Sequence, residues 1–237
     1  MLKRPVDVLT QFPVRKNKQQ KSSFRKAVVD YGENLGYTVT EETGKRGDCN
    51  VVLGDPETAK YLVTAHYDMH TGDNTSSVVT LLEIARTLPG NQRHKVCFVL
   101  FDLDIPGLSG SVSYRNKHRE ATDNQLVLHL DSVGSGDFLR MIPTRQLLED
   151  RRKLTSLYRA CGYFGNKSLL VFESPASVFC LSHRYFPYGV GIFSVQKQKK
   201  LLDIFCFRSG NDTDIDQTNV NILRAALTTF ICCDEVN

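Results

Sequence analysis

Three stretches of this 237-residue chain are almost continuously apolar, and each runs straight into acidic or imidazole side chains. Tyr61-Leu62-Val63-Thr64-Ala65 is followed by His66-Tyr67-Asp68, Val96 to Phe101 by Asp102-Leu103-Asp104, and Leu126 to Leu130 by Asp131. A strand that is apolar on both faces must be buried on both, as happens in a parallel sheet covered by helices. Helical periodicity lies between and around these strands. It predicts helices over Ser22 to Leu35 (capped by Gly36), Asn74 to Leu88 (ended by Pro89-Gly90), Ser111 to Arg119, Leu147 to Cys161 and Gln217 to Cys232. The Asn74 helix reads as amphipathic, with Val78, Leu81, Leu82, Ala85 and Leu88 as its buried stripe. Further strands are expected at Tyr37 to Thr40, Asn50 to Gly54, Val190 to Val195 and Asp203 to Phe207. The alternation predicts an α/β fold with a mainly parallel, mixed central sheet and helices on both faces. No repeat or low-complexity linker divides the chain, so residues 1–237 read as one domain.

Composition narrows the function classes. Hydrophobic residues make up 41% and charged residues 24%, as in ordinary globular domains. A net charge of +4 is too mild to argue for nucleic acid. Part of the excess is the cluster Arg15, Lys16, Lys18, Lys21, Arg25 and Lys26, which reads as a solvated helix face. The first residues lack a signal-peptide core, and no stretch approaches the roughly 18 apolar residues of a membrane span. The seven cysteines are odd in number and form no CxxC pair. These features together predict a reduced, cytoplasmic protein without a membrane partner. No GxGxxG or GxxxxGK[ST] string is present, which disfavours dinucleotide and phosphate-loop enzymes.

In open α/β sheets, ligands bind beyond the carboxyl ends of the strands. The three strand ends bring His66, Asp68, Asp104 and Asp131 into one crevice. Asp73 joins them from the mouth of the Asn74 helix, where a carboxylate is also a favourable cap. One imidazole with several carboxylates suits zinc with water in an open position, or manganese, cobalt and similar ions.

The segments Thr64-Ala65-His66-Tyr67-Asp68, Gly72-Asp73-Asn74-Thr75-Ser76-Ser77-Val78, Val99-Leu100-Phe101-Asp102 with Gly107-Leu108-Ser109-Gly110-Ser111, and Leu130-Asp131-Ser132-Val133-Gly134 occur in this order. Together they resemble the dinuclear-zinc aminopeptidases, over about residues 10 to 235. The resemblance implies that His66, Asp73 and Asp131 hold one metal, with Asp68 orienting His66. The family's second metal also needs a glutamate and a late histidine, and its general base precedes that glutamate. Those positions fall on Ile105, Arg208 and Asp104. Isoleucine cannot ligate, and arginine does not deprotonate. One zinc is therefore expected rather than two, with Asp104 as base, and with Arg208 either standing in for the second ion's charge or forming a plain salt bridge to the leftover carboxylates. The resemblance also implies a cis peptide at Asp73-Asn74. Two departures affect the substrate pocket: the segment from His66 to Asp73 is short, and Ser182 precedes His183 where the family often has an aspartate.

The resulting expectation is a metallopeptidase, an aminopeptidase or dipeptidase, whose partner is a peptide substrate. The competing reading is a catalytically inactive peptidase-like domain that binds a peptide ligand. A single-zinc acyltransferase like glutaminyl cyclase is disfavoured, because that branch relies on the lost glutamate and histidine. Of the remaining histidines, His70 reads as a loop residue, His129 as a hydrogen-bonded core residue, and His183 as lying near the pocket.

Overall fold

The computed structural model describes residues 3–12, 14–68, 74–103, 107–134, 136, 138–163, 169–171, 182–195 and 215–233. Its strands are β1 (Val39–Thr43), β2 (Cys49–Leu53), β3 (Tyr61–His66), β4 (Val96–Phe101), β5 (Leu126–Asp131), β6 (Phe138–Pro143), β7 (Leu169–Val171) and β8 (Gly189–Val195). They form one sheet in the order β1-β2-β4-β3-β5-β8-β6-β7. The four middle strands, β4, β3, β5 and β8, run parallel. Antiparallel pairing begins on either side, at β2 against β4 and at β6 against β8. The sheet is therefore mixed with a parallel centre, and every residue of β2, β3, β4 and β5 is buried.

The helices are α1 (Pro5–Leu9), α2 (Lys18–Asn34), α3 (Thr75–Thr87), α4 (Ser109–Lys117), α5 (Arg119–Thr122), α6 (Arg145–Glu149), α7 (Arg151–Tyr163) and α8 (Gln217–Cys233). One sheet face carries the main core, to which α2 gives Phe24 and Val28, α3 gives Leu81 and Leu82, α7 gives Leu157, and α8 gives Leu223 and Leu227. The other face has a smaller core in which Phe101 and Val99 meet Tyr114 of α4 and Phe186. Burying each such side chain stabilises the fold by about 1.5–3 kcal/mol.

Several boundaries differ from the sequence expectation for identifiable reasons. α2 begins four residues before Ser22, because Asn17 and Gln20 close a capping box around a polar first turn. The expected stripe of α3 is buried, but so is the whole run from Thr75 to Ala85. This helix is wedged between the sheet and its helical neighbours, and its buried Glu83 pairs with Arg86. The expected helix from Leu147 to Cys161 is two helices, α6 and α7, broken at Asp150, whose Oδ1 accepts from the Lys153 backbone N–H at 3.3 Å. Strands β6 and β7 were not expected. The strand expected at Asp203 to Phe207 lies outside the described residues.

The basic cluster is not a solvated face throughout. Lys16, Lys18 and Lys26 are exposed, but Arg15 is buried, and Lys21 reaches Asp102 at 2.6 Å. Arg25 is also largely covered, beside Glu41 and the Tyr67 hydroxyl. The reason is that the segment before α2 and the first turns of that helix cross the carboxyl edge of the sheet, where these cations meet carboxylates and carbonyls.

Candidate metal centre

The pairing register builds the site. Ala65 of β3 stands beside Leu130 of β5, so the next residue of each strand, His66 and Asp131, project together at the carboxyl edge. Two residues earlier on the same face, Thr64 and His129 are joined, with Oγ1 to Nδ1 at 2.8 Å. His129 is thus the hydrogen-bonded core histidine that its sequence position suggested, and burial pushes its pKa down to about 4.

His66 is 4% exposed and lies between two carboxylates. Its Nδ1 is 3.2 Å from Asp68 Oδ1, and its Nε2 is 3.7 Å from Asp131 Oδ1. Burial works against charge on the imidazole, but the adjacent carboxylates of Asp131 and Asp68 outweigh it and hold its pKa well above the ordinary value. Asp131 is opposed by burial in the same way, and His66 with the Ser132 hydroxyl keeps its carboxyl below the ordinary range. Ser132 Oγ donates to Asp131 Oδ1 at 2.9 Å.

This donor set suits a divalent cation. A separation of 3.7 Å is long for a hydrogen bond. It is well matched to two ligand atoms that each sit about 2.0–2.2 Å from one zinc. A ligating histidine normally donates its other ring N–H to a carboxylate, and Asp68 is placed for that. Among the described residues no group of three or more His, Cys, Asp or Glu side chains could hold a metal. The third expected ligand, Asp73, lies outside the described residues, as do Asp104, Ile105, Arg208, His70 and the Asp73-Asn74 peptide.

Asn74 has a part that its sequence position did not suggest. Its Nδ2 donates to the His66 carbonyl at 3.1 Å, and its Oδ1 accepts from the Ser132 backbone N–H at 2.9 Å. One amide therefore ties the end of β3 to the end of β5. Read from sequence, Asn74 was only a helix start. Backbone strain collects nearby: Leu103, Leu108 and Ser132 have positive φ of 49°, 55° and 52°, and Ser132 directly follows Asp131. His183 is buried close to this region, its ring 6.3 Å from that of His129, and burial drives its pKa well down. It packs in the core beside His129. A cleft of about 880 Å³ opens between the β1–β2 hairpin and α4, lined by Glu42, Asp48, Ser109 and Tyr185 among others, and neither His66 nor Asp131 borders it.

The sheet, with its parallel centre and its acidic and imidazole side chains at the carboxyl edge, is that of an α/β protein with a polar strand-end site. The sequence profile of Peptidase family M28 matches residues 50–178, just over half of the chain, so the protein belongs to that family. No curated protein sequence matches it. Among solved structures it is similar to the glutaminyl cyclase of Porphyromonas gingivalis, with a TM-score of 0.69, 15% identity, and 98% of this chain and 97% of that chain covered. It is also similar to a putative zinc-dependent exopeptidase of Bacteroides vulgatus, with a TM-score of 0.65, 18% identity and coverage of 95% and 92%. A leucine aminopeptidase precursor of Bacteroides thetaiotaomicron gives 0.63, 16%, 95% and 93%. At these identities the likeness speaks for the fold. Among the described residues no helix is long and apolar enough to cross a membrane.

Proposed function

We propose that this chain is a zinc exopeptidase, an aminopeptidase or dipeptidase acting on short peptides. It would work with one ion held by His66, Asp131 and Asp73. The observation that carries the reading is His66 itself: a buried imidazole with Nδ1 on one carboxylate and Nε2 facing another, at the edge where α/β sheets bind ligands. Membership of the M28 family supports zinc as the ion.

When bound, such an ion supplies Lewis-acid polarisation of a carbonyl and acidification of water. The protein's own residues do the rest. Asp68 accepts the Nδ1 proton of His66 and so leaves Nε2 to face the ion. Ser132 fixes which way Asp131 points. Asp104 takes and returns the proton in hydrolysis, and its reach is one methylene shorter than a glutamate's. Arg208 supplies the positive charge that a second ion would otherwise bring, as a partner for Asp73 or Asp104 or for an oxyanion.

Hydrolysis of an aminoacyl reporter, abolished by a chelator and restored by zinc, is the expected result. A chain that binds zinc and leaves every such reporter intact would contradict peptidase activity. The replacement of two family metal-site residues by Ile105 and Arg208 favours, in that event, the second reading, a peptidase-like domain that binds peptide without cleaving it.

A further inference from the structure

Arg15 is completely buried, and it was read from sequence as one cation of a solvated cluster. Its Nε donates to the Tyr67 carbonyl at 2.7 Å, one Nη to the Phe12 carbonyl at 3.0 Å, and the other to Thr75 Oγ1 at 3.0 Å. Its guanidinium carbon lies 4.5 Å from the centre of the Phe24 ring. Tyr67 is the residue between His66 and Asp68. Thr75 opens α3, next to Asn74 and two residues beyond Asp73. A single planar fork therefore joins the residue after His66 to the first residue of α3.

Tyr67 is fixed at its other polar atoms as well. Its backbone N–H donates to the Phe101 carbonyl at 3.0 Å, and its hydroxyl donates to the Cys49 carbonyl at 2.7 Å. Its ring stacks on Phe24 at 5.6 Å. Side chains alternate along an extended strand, so anchoring Tyr67 on one face sets the direction of His66 and Asp68 on the other. A buried guanidinium carries a large desolvation penalty, and an apolar side chain of similar volume often stabilises a core at least as well. Packing alone does not call for arginine here, whereas holding two separate backbone stretches in fixed relation does.

We propose that Arg15 is a positioning residue of the metal centre, holding Tyr67 and Thr75 so that His66, Asp68 and the start of α3 keep the spacing that a cation needs. The idea rests on the metal-site reading given above.

The test uses the full chain with Arg15→Gln and Arg15→Lys. Leu157→Ala on α7 serves as a control that weakens the core elsewhere. Two quantities are read: zinc affinity by chelator competition, and the hydrogen-bonded Nδ1 proton of His66 by NMR in the metal-free chain. Zinc affinity should fall at least about tenfold in both Arg15 variants, as is typical when support for a ligand is removed. The His66 proton signal should broaden or vanish, and lysine should not rescue it, because a point charge cannot bridge both partners. Leu157→Ala should lose stability and keep both readouts.

Wild-type zinc affinity and an unchanged His66 signal in the Arg15 variants would overturn the proposal, and so would equal losses in Leu157→Ala. If the wild-type chain binds no zinc, the metal reading fails, and the His66 signal alone decides whether Arg15 positions it. If Arg15→Gln does not fold, Arg15→Lys, which keeps the charge and most of the volume, carries the test.

Discussion

The ring of His66 presents its Nδ1 atom 3.2 Å from Oδ1 of Asp68, with both side chains almost wholly buried. The contact sets which nitrogen faces Asp131, so under the proposed metal assignment it should govern zinc affinity more than stability. Asp68→Asn keeps the shape but removes the negative charge that makes His66 a strong donor. Zinc affinity should fall about 10- to 100-fold, measured by competition with a chromophoric chelator, while the circular dichroism spectrum stays unchanged.

Asn74 is the cross-brace of the same edge. In Asn74→Ala, the His66 carbonyl and the Ser132 N–H lose their partner, and Ser132 is already in a left-handed conformation. Stability should drop by about 2 kcal/mol. The urea midpoint should shift with little change in slope.

Gly110, in the Gly107-Leu108-Ser109-Gly110-Ser111 segment, shows why that stretch has its form. A Cβ there would lie 2.2 Å from the Asp102 carbonyl oxygen and 2.6 Å from Asn50 Oδ1. Its own carbonyl accepts from Asn50 Nδ2 at 2.9 Å. α4 can approach the end of β4 only without a side chain. Gly110→Ala should cost about 1–3 kcal/mol as an overpacking change, read as a lower thermal midpoint.

Much of this was legible in the sequence. β3, β4 and β5 are nearly continuous apolar runs, and their polar termini pointed to His66, Asp68 and Asp131 at one edge, where strand register and side-chain contacts place them. β6 was not legible, because the sequence before it is Gly134-Ser135-Gly136-Asp137, it carries Arg140 in its middle and it ends at Pro143, so neither periodicity nor apolarity marks it. The braces were missed for a different reason. Arg15 meets the Tyr67 carbonyl and Asn74 the Ser132 amide, both far along the chain, and nothing local to either residue reports such partners.

The outer edge of the sheet holds an ion cluster whose pH dependence has a definite sign. His118 bridges Glu42 and Glu57, at 3.0 Å and 2.6 Å. Hydrogen bonding to Glu42, against the opposing effect of burial, raises its pKa. A raised folded-state value means that its stabilisation is complete below about pH 6.5, and is lost as pH rises through the folded-state pKa. For Glu42, burial raises the carboxyl pKa, but the His118 and Lys117 contacts outweigh it and lower the value. Its share is present above its ordinary value and is lost on acidification. His118→Gln should therefore destabilise more at about pH 5.5 than at about pH 9, as compared by thermal melts of both proteins across that range.

If Ile105 and Arg208 stand where the second ion's glutamate and histidine would be, restoring both should rebuild that site. The double variant Ile105→Glu/Arg208→His is expected to raise zinc stoichiometry from one per chain to two, read by elemental analysis after dialysis. A stoichiometry that stays at one would show that these two positions do not face the ion.

The most direct measurement is the zinc content and affinity of the purified, metal-stripped chain after titration, beside His66→Ala and Asp131→Ala. The account predicts one tightly held zinc in the wild type and its loss in both variants, with the fold retained. A folded wild-type chain that takes up no zinc, or variants that bind it equally well, would contradict the assignment of His66 and Asp131 as its ligands.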